Sequence, residues 1–162
     1  MPRKTNPSRL LDSFDRSILR IVQRDNKTPQ REIAEAVNLS TAAVQRRIAA
    51  MENAGIIERN VAMVDPLAVG LTITAIVEVY LRDERSTTVD AAKAIFRAAP
   101  EVQQCYYTTG GTSFVLVVVT KTMQTYEAFI RQRFEENETV KSFRTLVVID
   151  RVKTQTEIAI ED

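Results

Sequence analysis

The apolar positions of this chain change period once. Up to Gly55 they recur every three to four residues; beyond Leu71 they fall into β-branched blocks separated by two further helical stretches. Leu11, Phe14, Ile18, Ile21 and Val22 predict an amphipathic helix over 12–24, capped by Asp12 or Ser13. Asp25-Asn26-Lys27 predicts a turn. Pro29 suits the first position of a second helix with Thr28 as its N-cap, and Ile33, Ala34 and Val37 form that helix's apolar face. A turn at Asn38-Leu39-Ser40 leads into a third helix that opens at Ser40 and stops at Gly55, with Val44, Ile48 and Met51 inward. Residues 57–64 are β-prone and would form a small wing, and Asp65-Pro66 and Gly70 punctuate a linker.

The second half predicts a strand over 72–81, a helix capped by Ser86 and running to about Ala99, and a strand over 102–108. After a Gly110-Gly111 turn come a buried strand over 113–120, a helix over 122–135 and a long strand over 140–152. In that last helix Met123, Tyr126, Phe129, Ile130 and Phe134 point inward. The order βαββαβ with right-handed crossovers builds a ferredoxin-like sandwich: four antiparallel strands with both helices on one face. The other sheet face is left open. Ile73, Ala75, Val77 and Val79 line one side of the first strand, and Thr74, Ile76, Glu78 and Tyr80 line the other. An open face this apolar calls for a partner, and face-to-face dimerisation supplies one. The expected class is therefore α+β: a helix-turn-helix domain with a basic arm over 1–60, a linker over 61–70, and a ferredoxin-like domain over 71–162.

Charge sharpens the division. Residues 1–60 hold 11 Lys and Arg against 7 Asp and Glu, whereas 61–162 hold 11 against 14. The excess of positive charge coincides with the helical part, which favours a polyanionic partner for that part alone. Arg3, Lys4 and Arg9 lie in a loose basic arm. Histidine is absent and Cys105 stands alone, so the commonest general base, the commonest metal ligand and any intrachain disulfide are all missing. Neither enzymatic chemistry nor a cofactor or metal is expected. Cys105 reads as a packed small residue. No apolar run is long enough to span a bilayer, and no signal peptide opens the chain; a cytoplasmic protein with no membrane partner is the expectation.

A third helix preceded by a tight turn can place its first turns in the major groove of DNA. Ser40 caps that helix and can also donate to a phosphate. Thr41, Ala42, Gln45 and Arg46 lie opposite Val44, Ile48 and Met51; Gln45 suits adenine and Arg46 suits guanine. Arg47 suits a phosphate clamp or a brace to a nearby carboxylate. Thr28 and Arg31, on the preceding helix, are candidate phosphate contacts. The same polar positions also fit a plain solvated face. In the second domain Gly110-Gly111 is an ordinary hairpin turn or a close backbone approach to a small carboxylate. Tyr106 and Tyr107 point to opposite faces, one for core and one for pocket.

Asp15-x-x-Ile18-Leu19, Ile33-Ala34-x-x-Val37-x-Leu39-Ser40, Arg47-x-x-x-Met51-Glu52-x-x-Gly55-x-Ile57 and Leu67-x-x-Gly70-Leu71 resemble the DNA-binding half and linker of the Lrp/AsnC, or feast/famine, transcription regulators. Pro100-Glu101-Val102, Cys105-Tyr106 with Thr109-Gly110, and Val147-Val148-x-x-x-Val152-Lys153 resemble the family's effector-binding half. The resemblance implies a sequence-specific DNA-binding regulator that forms homodimers and higher oligomers such as octamers. It also implies a small effector, usually an amino acid, whose binding alters assembly. The effector residues it implies are Tyr107, Thr109, Gly110, Gly111, Thr112 and Ser113. The family usually reads Gly-Asp-x-Asp-Tyr where this chain reads Gly110-Gly111-Thr112-Ser113-Phe114, so two carboxylates are missing. Phe143 also departs, standing where the family often carries a small hydroxyl residue. The alternative reading is a nucleoid-type architectural protein that binds double-stranded DNA without an effector.

Overall fold

The computed structural model describes residues 10–161, so the basic-arm residues Arg3, Lys4 and Arg9 lie outside the described residues. The chain divides into two compact units, 1–62 together with 153–162, and 63–152.

In the first unit α1 spans Ser13–Val22, α2 Gln30–Val37 and α3 Thr41–Asn53. Asp12, not Ser13, caps α1: its Oδ1 accepts the Asp15 amide at 2.8 Å, and the Asp12 amide donates back to Asp15 Oδ2 at 3.5 Å. Helix α2 opens after Pro29 with no side-chain cap. Thr28 does not cap it, because the Thr28 hydroxyl is turned back onto the Asp25 carbonyl at 2.8 Å. Asn38 takes a left-handed conformation at φ 54°, and the Leu39 amide reaches the Ala34 carbonyl at 3.0 Å, so the chain reverses in three residues. Ser40 Oγ then accepts the Ala43 amide at 3.2 Å and starts α3. Gly55, at φ 72°, ends it. The Gly55 amide donates to the Glu52 carbonyl and the Ile56 amide to the Met51 carbonyl, both at 2.9 Å. Ile18, Leu19, Ile33, Ala34, Val37, Val44 and Met51 form the core between the three helices.

One expectation for this unit fails. The β-prone segment 57–64 forms no strand; the helix-turn-helix is wingless among the described residues. Val61 and Val64 stand 60% and 62% exposed, and a β-prone sequence without an edge to pair with does not make a strand. Residues 153–162 group by contacts with the first unit. Arg20 Nε donates to the Ile160 carbonyl at 2.9 Å, and Arg24 Nε meets Glu157 Oε1 at 2.9 Å. The Gln23 amide pairs with the Ile158 backbone in both directions, at 2.9 and 3.2 Å. Ile160 packs against the helical core. This C-terminal strap runs along α1.

The second unit is the expected sandwich. Strands β1 (Ile73–Leu81), β2 (Val102–Tyr107), β3 (Phe114–Thr120) and β4 (Val140–Val147) stand in the order β2-β3-β1-β4, each pair antiparallel. Helix α4 (Ser86–Ala98) crosses from β1 to β2, and α5 (Met123–Ile130) begins the return from β3 to β4. Ser86 is the first residue of α4 and not its cap; the loop before it is tied by Asp83 Oδ1, which accepts the Arg85 amide at 3.1 Å and the Thr88 hydroxyl at 2.7 Å. Thr122 and Thr125 form a capping box at the start of α5, which runs on as a π turn over Arg131–Glu135. Strand β4 stops at Val147, short of the expected Val152. Its pairing with β1 ends at Ala75↔Val147, and the Val148 amide to the Thr74 carbonyl is the final backbone bond between them.

The core lies between the sheet and the helices. Ala75, Val77, Val79 and Leu81 meet Val89, Ala92 and Phe96 of α4 and Phe129, Ile130 and Phe134 of the return. Phe96 stands edge-on to Phe114 and Phe134, at 5.3 and 5.7 Å between centroids. Phe143 fills space beside Phe134 at 5.2 Å. Met123 stays 45% exposed and does not join them. On the other side of the sheet the paired residues Ile76, Val117, Leu146, Val115 and Tyr106 make an apolar face. It is crossed by one bidentate ion pair, Arg144 to Glu78 at 2.8 and 2.7 Å.

Candidate nucleic-acid interface and ligand site

Helix α3 sorts its side chains sharply. Val44 and Met51 are fully buried, and Ile48 is half-buried. Ser40, Thr41, Ala42, Gln45 and Arg46 are all exposed on the opposite side. Among the described residues neither Gln45 nor Arg46 forms a hydrogen bond or ion pair through its side chain. With Ser40 and Thr41 they present two hydroxyls, an amide and a guanidinium over about the first two turns, at the positive end of the helix dipole. That set can donate to phosphates and read base edges.

Arg47 is placed differently. Its Nη1 donates to Asp12 Oδ2 and to Asp15 Oδ1, both at 2.8 Å, and its guanidinium carbon lies 5.5 Å from the centroid of the Phe14 ring. Of the two sequence readings for Arg47, this geometry is the brace. Asp15 is 2% exposed, so Arg47 neutralises a buried carboxylate and ties α3 to the start of α1. The Asp15 hydrogen bond, then that to Asp12, raises the Arg47 pKa. The Asp15 backbone amide, then Arg47, hold the Asp12 carboxyl below its ordinary value. On α2, Arg31 is well exposed and loosely paired with Glu35 at 3.5 Å. Thr28 is half-buried with its hydroxyl spent on Asp25.

The effector candidates sit at one end of the sheet, between the end of β2 and the start of β3. Gly110 and Gly111 adopt φ 96° and 103°, which explains why both are glycine; a Cβ on either would meet nothing within 4 Å. The close-approach reading is therefore not what requires them. Thr109, Gly110 and Gly111 are exposed, and Thr112 is half-buried. Ser113 is buried, contrary to a direct lining role: its Oγ donates to Glu84 and accepts the Leu81 amide at 3.1 Å. Tyr106 lies on the open sheet face and Tyr107 on the helix side, but both are about half exposed, so neither is core. The Tyr107 hydroxyl donates to Glu84 Oε2 at 2.9 Å, and that bond raises its pKa. Cys105, expected to be packed, is exposed because β2 is an edge strand. It borders a cleft of about 340 Å³ between α4 and β2 that Lys93, Arg97 and Tyr107 also line. Glu84, the acceptor of both hydroxyls, was not among the sequence candidates. It sits in Arg82-Asp83-Glu84-Arg85, which reads as an ordinary charged loop.

Three comparisons bear on this geometry. Residues 74–158 match the Lrp/AsnC ligand binding domain, and residues 11–58 match a winged helix-turn-helix DNA-binding domain. An HTH-type transcriptional regulator of Sinorhizobium fredii is 43% identical over 151 residues, covering 93% of this chain and 89% of that protein. Among solved structures, an AsnC family transcriptional regulator from Agrobacterium tumefaciens superposes with a TM-score of 0.85 at 30% identity, over 92% of this chain and 97% of that one. A transcriptional regulator of Neisseria meningitidis, solved as a complex with L-Met, gives 0.86 at 27% identity, over 93% and 97%.

Proposed function

Because the chain belongs to the Lrp/AsnC family of transcriptional regulators, we propose that it selects its sites through the first turns of α3 and senses an amino acid through its ligand-binding domain. The observation that carries the DNA half is the freedom of Gln45 and Arg46, exposed and unengaged next to a helix start that points its amides outward. Ser40, Thr41 and Arg31 contribute phosphate contacts around them, and Ala42 permits close approach to a base edge. Arg47 stays out of this set because Asp12 and Asp15 hold it.

A regulator of this design works as a homodimer with two α3 helices in successive major-groove faces, about one helical turn of DNA apart or a multiple of it. The apolar sheet face around Ile76, Val117 and Leu146 is the surface that pairs two copies, and further pairing builds assemblies such as octamers. The residues around Gly110 and Gly111 form the effector site. The L-Met complex of the Neisseria relative supports an amino acid as the ligand class. An effector acts by preferring one assembly over another, which shifts the population bound to DNA.

The test compares binding to the region upstream of the protein's own gene with binding to random DNA at moderate salt. The double variant Gln45→Ala/Arg46→Ala should keep its oligomeric state and lose specific binding by roughly 10- to 100-fold per lost base contact. Undiminished specific binding by that variant would remove α3 as the reading element.

A further inference from the structure

Glu84 presents a carboxylate that is oriented but not neutralised. Ser113 Oγ donates to its Oε1 at 2.5 Å and the Tyr107 hydroxyl to its Oε2 at 2.9 Å. Ser113 is itself fixed, 4% exposed with the Leu81 amide bonded to its oxygen. The adjoining charges are matched in another way: Arg85 binds Asp83 at 2.7 Å, and Lys93 stands 3.5 Å from Asp90. Among the described residues no cation pairs with Glu84. An ionised carboxylate offers about four lone-pair directions, and two hydroxyls occupy two of them. Glu84 is exposed, so the remaining two are open to solvent and to an incoming donor.

The location gives that carboxylate a chemical meaning. Leu81, Tyr107 and Ser113 end β1, end β2 and precede β3, so all three meet at one end of the sheet, beside the Gly110–Gly111 turn. Residues 108–114 contain no acid and no base. Among the described residues the amides of Gly110 and Gly111 donate to no protein acceptor, and the space beside both glycines is open. One end of the sheet therefore offers free backbone donors suited to a carboxylate and a single carboxylate suited to an ammonium.

We propose that Glu84 supplies the counter-charge for the ammonium of an α-amino acid effector, with Ser113 and Tyr107 as the residues that position it. This rests on the effector reading given above and names the group on which the ligand's amine depends. A carboxylate delivered from the loop between β1 and α4 takes over the electrostatic role that this hairpin, lacking acids, leaves open. The ligand class is the free amino acid and excludes its deaminated 2-oxo acid, which retains the carboxylate and loses the ammonium.

The experiment uses the full chain and isothermal titration with the common L-amino acids, followed by the 2-oxo acid of each one that binds. The wild type should bind at least one amino acid and not its oxo acid. Glu84→Gln should weaken that amino acid by roughly 10- to 100-fold, the loss expected for a charge-assisted bond. Glu84→Asp should recover part of the affinity. Tyr107→Phe, which keeps the ring and removes one donor, should cost only about 3- to 10-fold. Circular dichroism and sizing of each variant confirm folding; Glu84 is exposed, so its replacement leaves the core intact. If an amino acid binds Glu84→Gln as tightly as wild type, or its oxo acid binds the wild type equally well, the Glu84 assignment is wrong while the effector reading stands. If the wild type binds no amino acid at all, both fall.

Discussion

Replacing Arg47 with alanine separates a structural brace from a DNA contact. The substitution leaves the Asp15 carboxylate, 2% exposed, without the guanidinium that neutralises it. Removing one partner of a buried pair costs about 3–5 kcal/mol when the survivor is stranded. Here the loss is smaller, because Arg47 is 24% exposed and water can follow, and because Asp15 keeps the Asp12 amide at 3.5 Å. An expected destabilisation of about 2 kcal/mol remains, in line with the loss of a hydrogen bond between charged groups. For a unit of this size that lowers the midpoint of the helical transition by about 8–16 °C. Thermal melts followed by far-ultraviolet circular dichroism read it. Arg47→Ala/Asp15→Asn should regain part of the loss, because the buried charge is gone. DNA binding supplies the contrast: a brace leaves the slope of log affinity against log salt unchanged, while a lost phosphate contact reduces it by about one. A near-normal melting midpoint with a reduced salt slope would refute the brace and restore Arg47 to the phosphate set.

Three further outcomes follow from the same geometry. Ser40→Ala removes the oxygen that accepts the Ala43 amide and should cost about 1 kcal/mol of stability in the helical unit, read by denaturant melts. Leu146→Glu places a charge in the middle of the open sheet face, opposite Ile76; light scattering after size exclusion should show a shift to monomer, and an unchanged assembly would mean that copies pair elsewhere. Acid should weaken the helical unit through Asp12. Its folded pKa lies below the ordinary 3.8, so its stabilisation is present above that value and is lost as pH falls through the folded one. The melting midpoint should therefore drop below about pH 4, and Asp12→Asn should flatten that drop.

The helical unit was legible because its signals are local. Ser40 and Gly55 bracket α3 with chemistry that works within one turn, and Val44 and Met51 fix which face is buried. The sandwich was legible for a related reason: the order of strand and helix blocks leaves few right-handed ways to close the sheet. What failed depends on partners distant in sequence. Nothing in 57–64 reveals that no strand edge lies beside it, and the end of β4 is set by where its pairing with β1 stops, at Ala75↔Val147. Cys105 reads as a packed residue, yet β2 lies at the sheet edge. The candidate DNA residues emerged as an exposed group apart from Arg47 and Thr28, whose side chains are taken up by Asp12, Asp15 and Asp25. Glu84 was invisible because its function would arise from Ser113 and Tyr107, more than twenty residues away.

The strap along α1 has a bearing on biosynthesis. The three helices leave the ribosome long before residues 157–160, which cover one flank of them through Arg20, Gln23 and Arg24. During translation of the whole sandwich, that flank and the groove that receives Ile160 stay bare to chaperones and to neighbouring nascent chains. The first unit to emerge is thus the last to be completed.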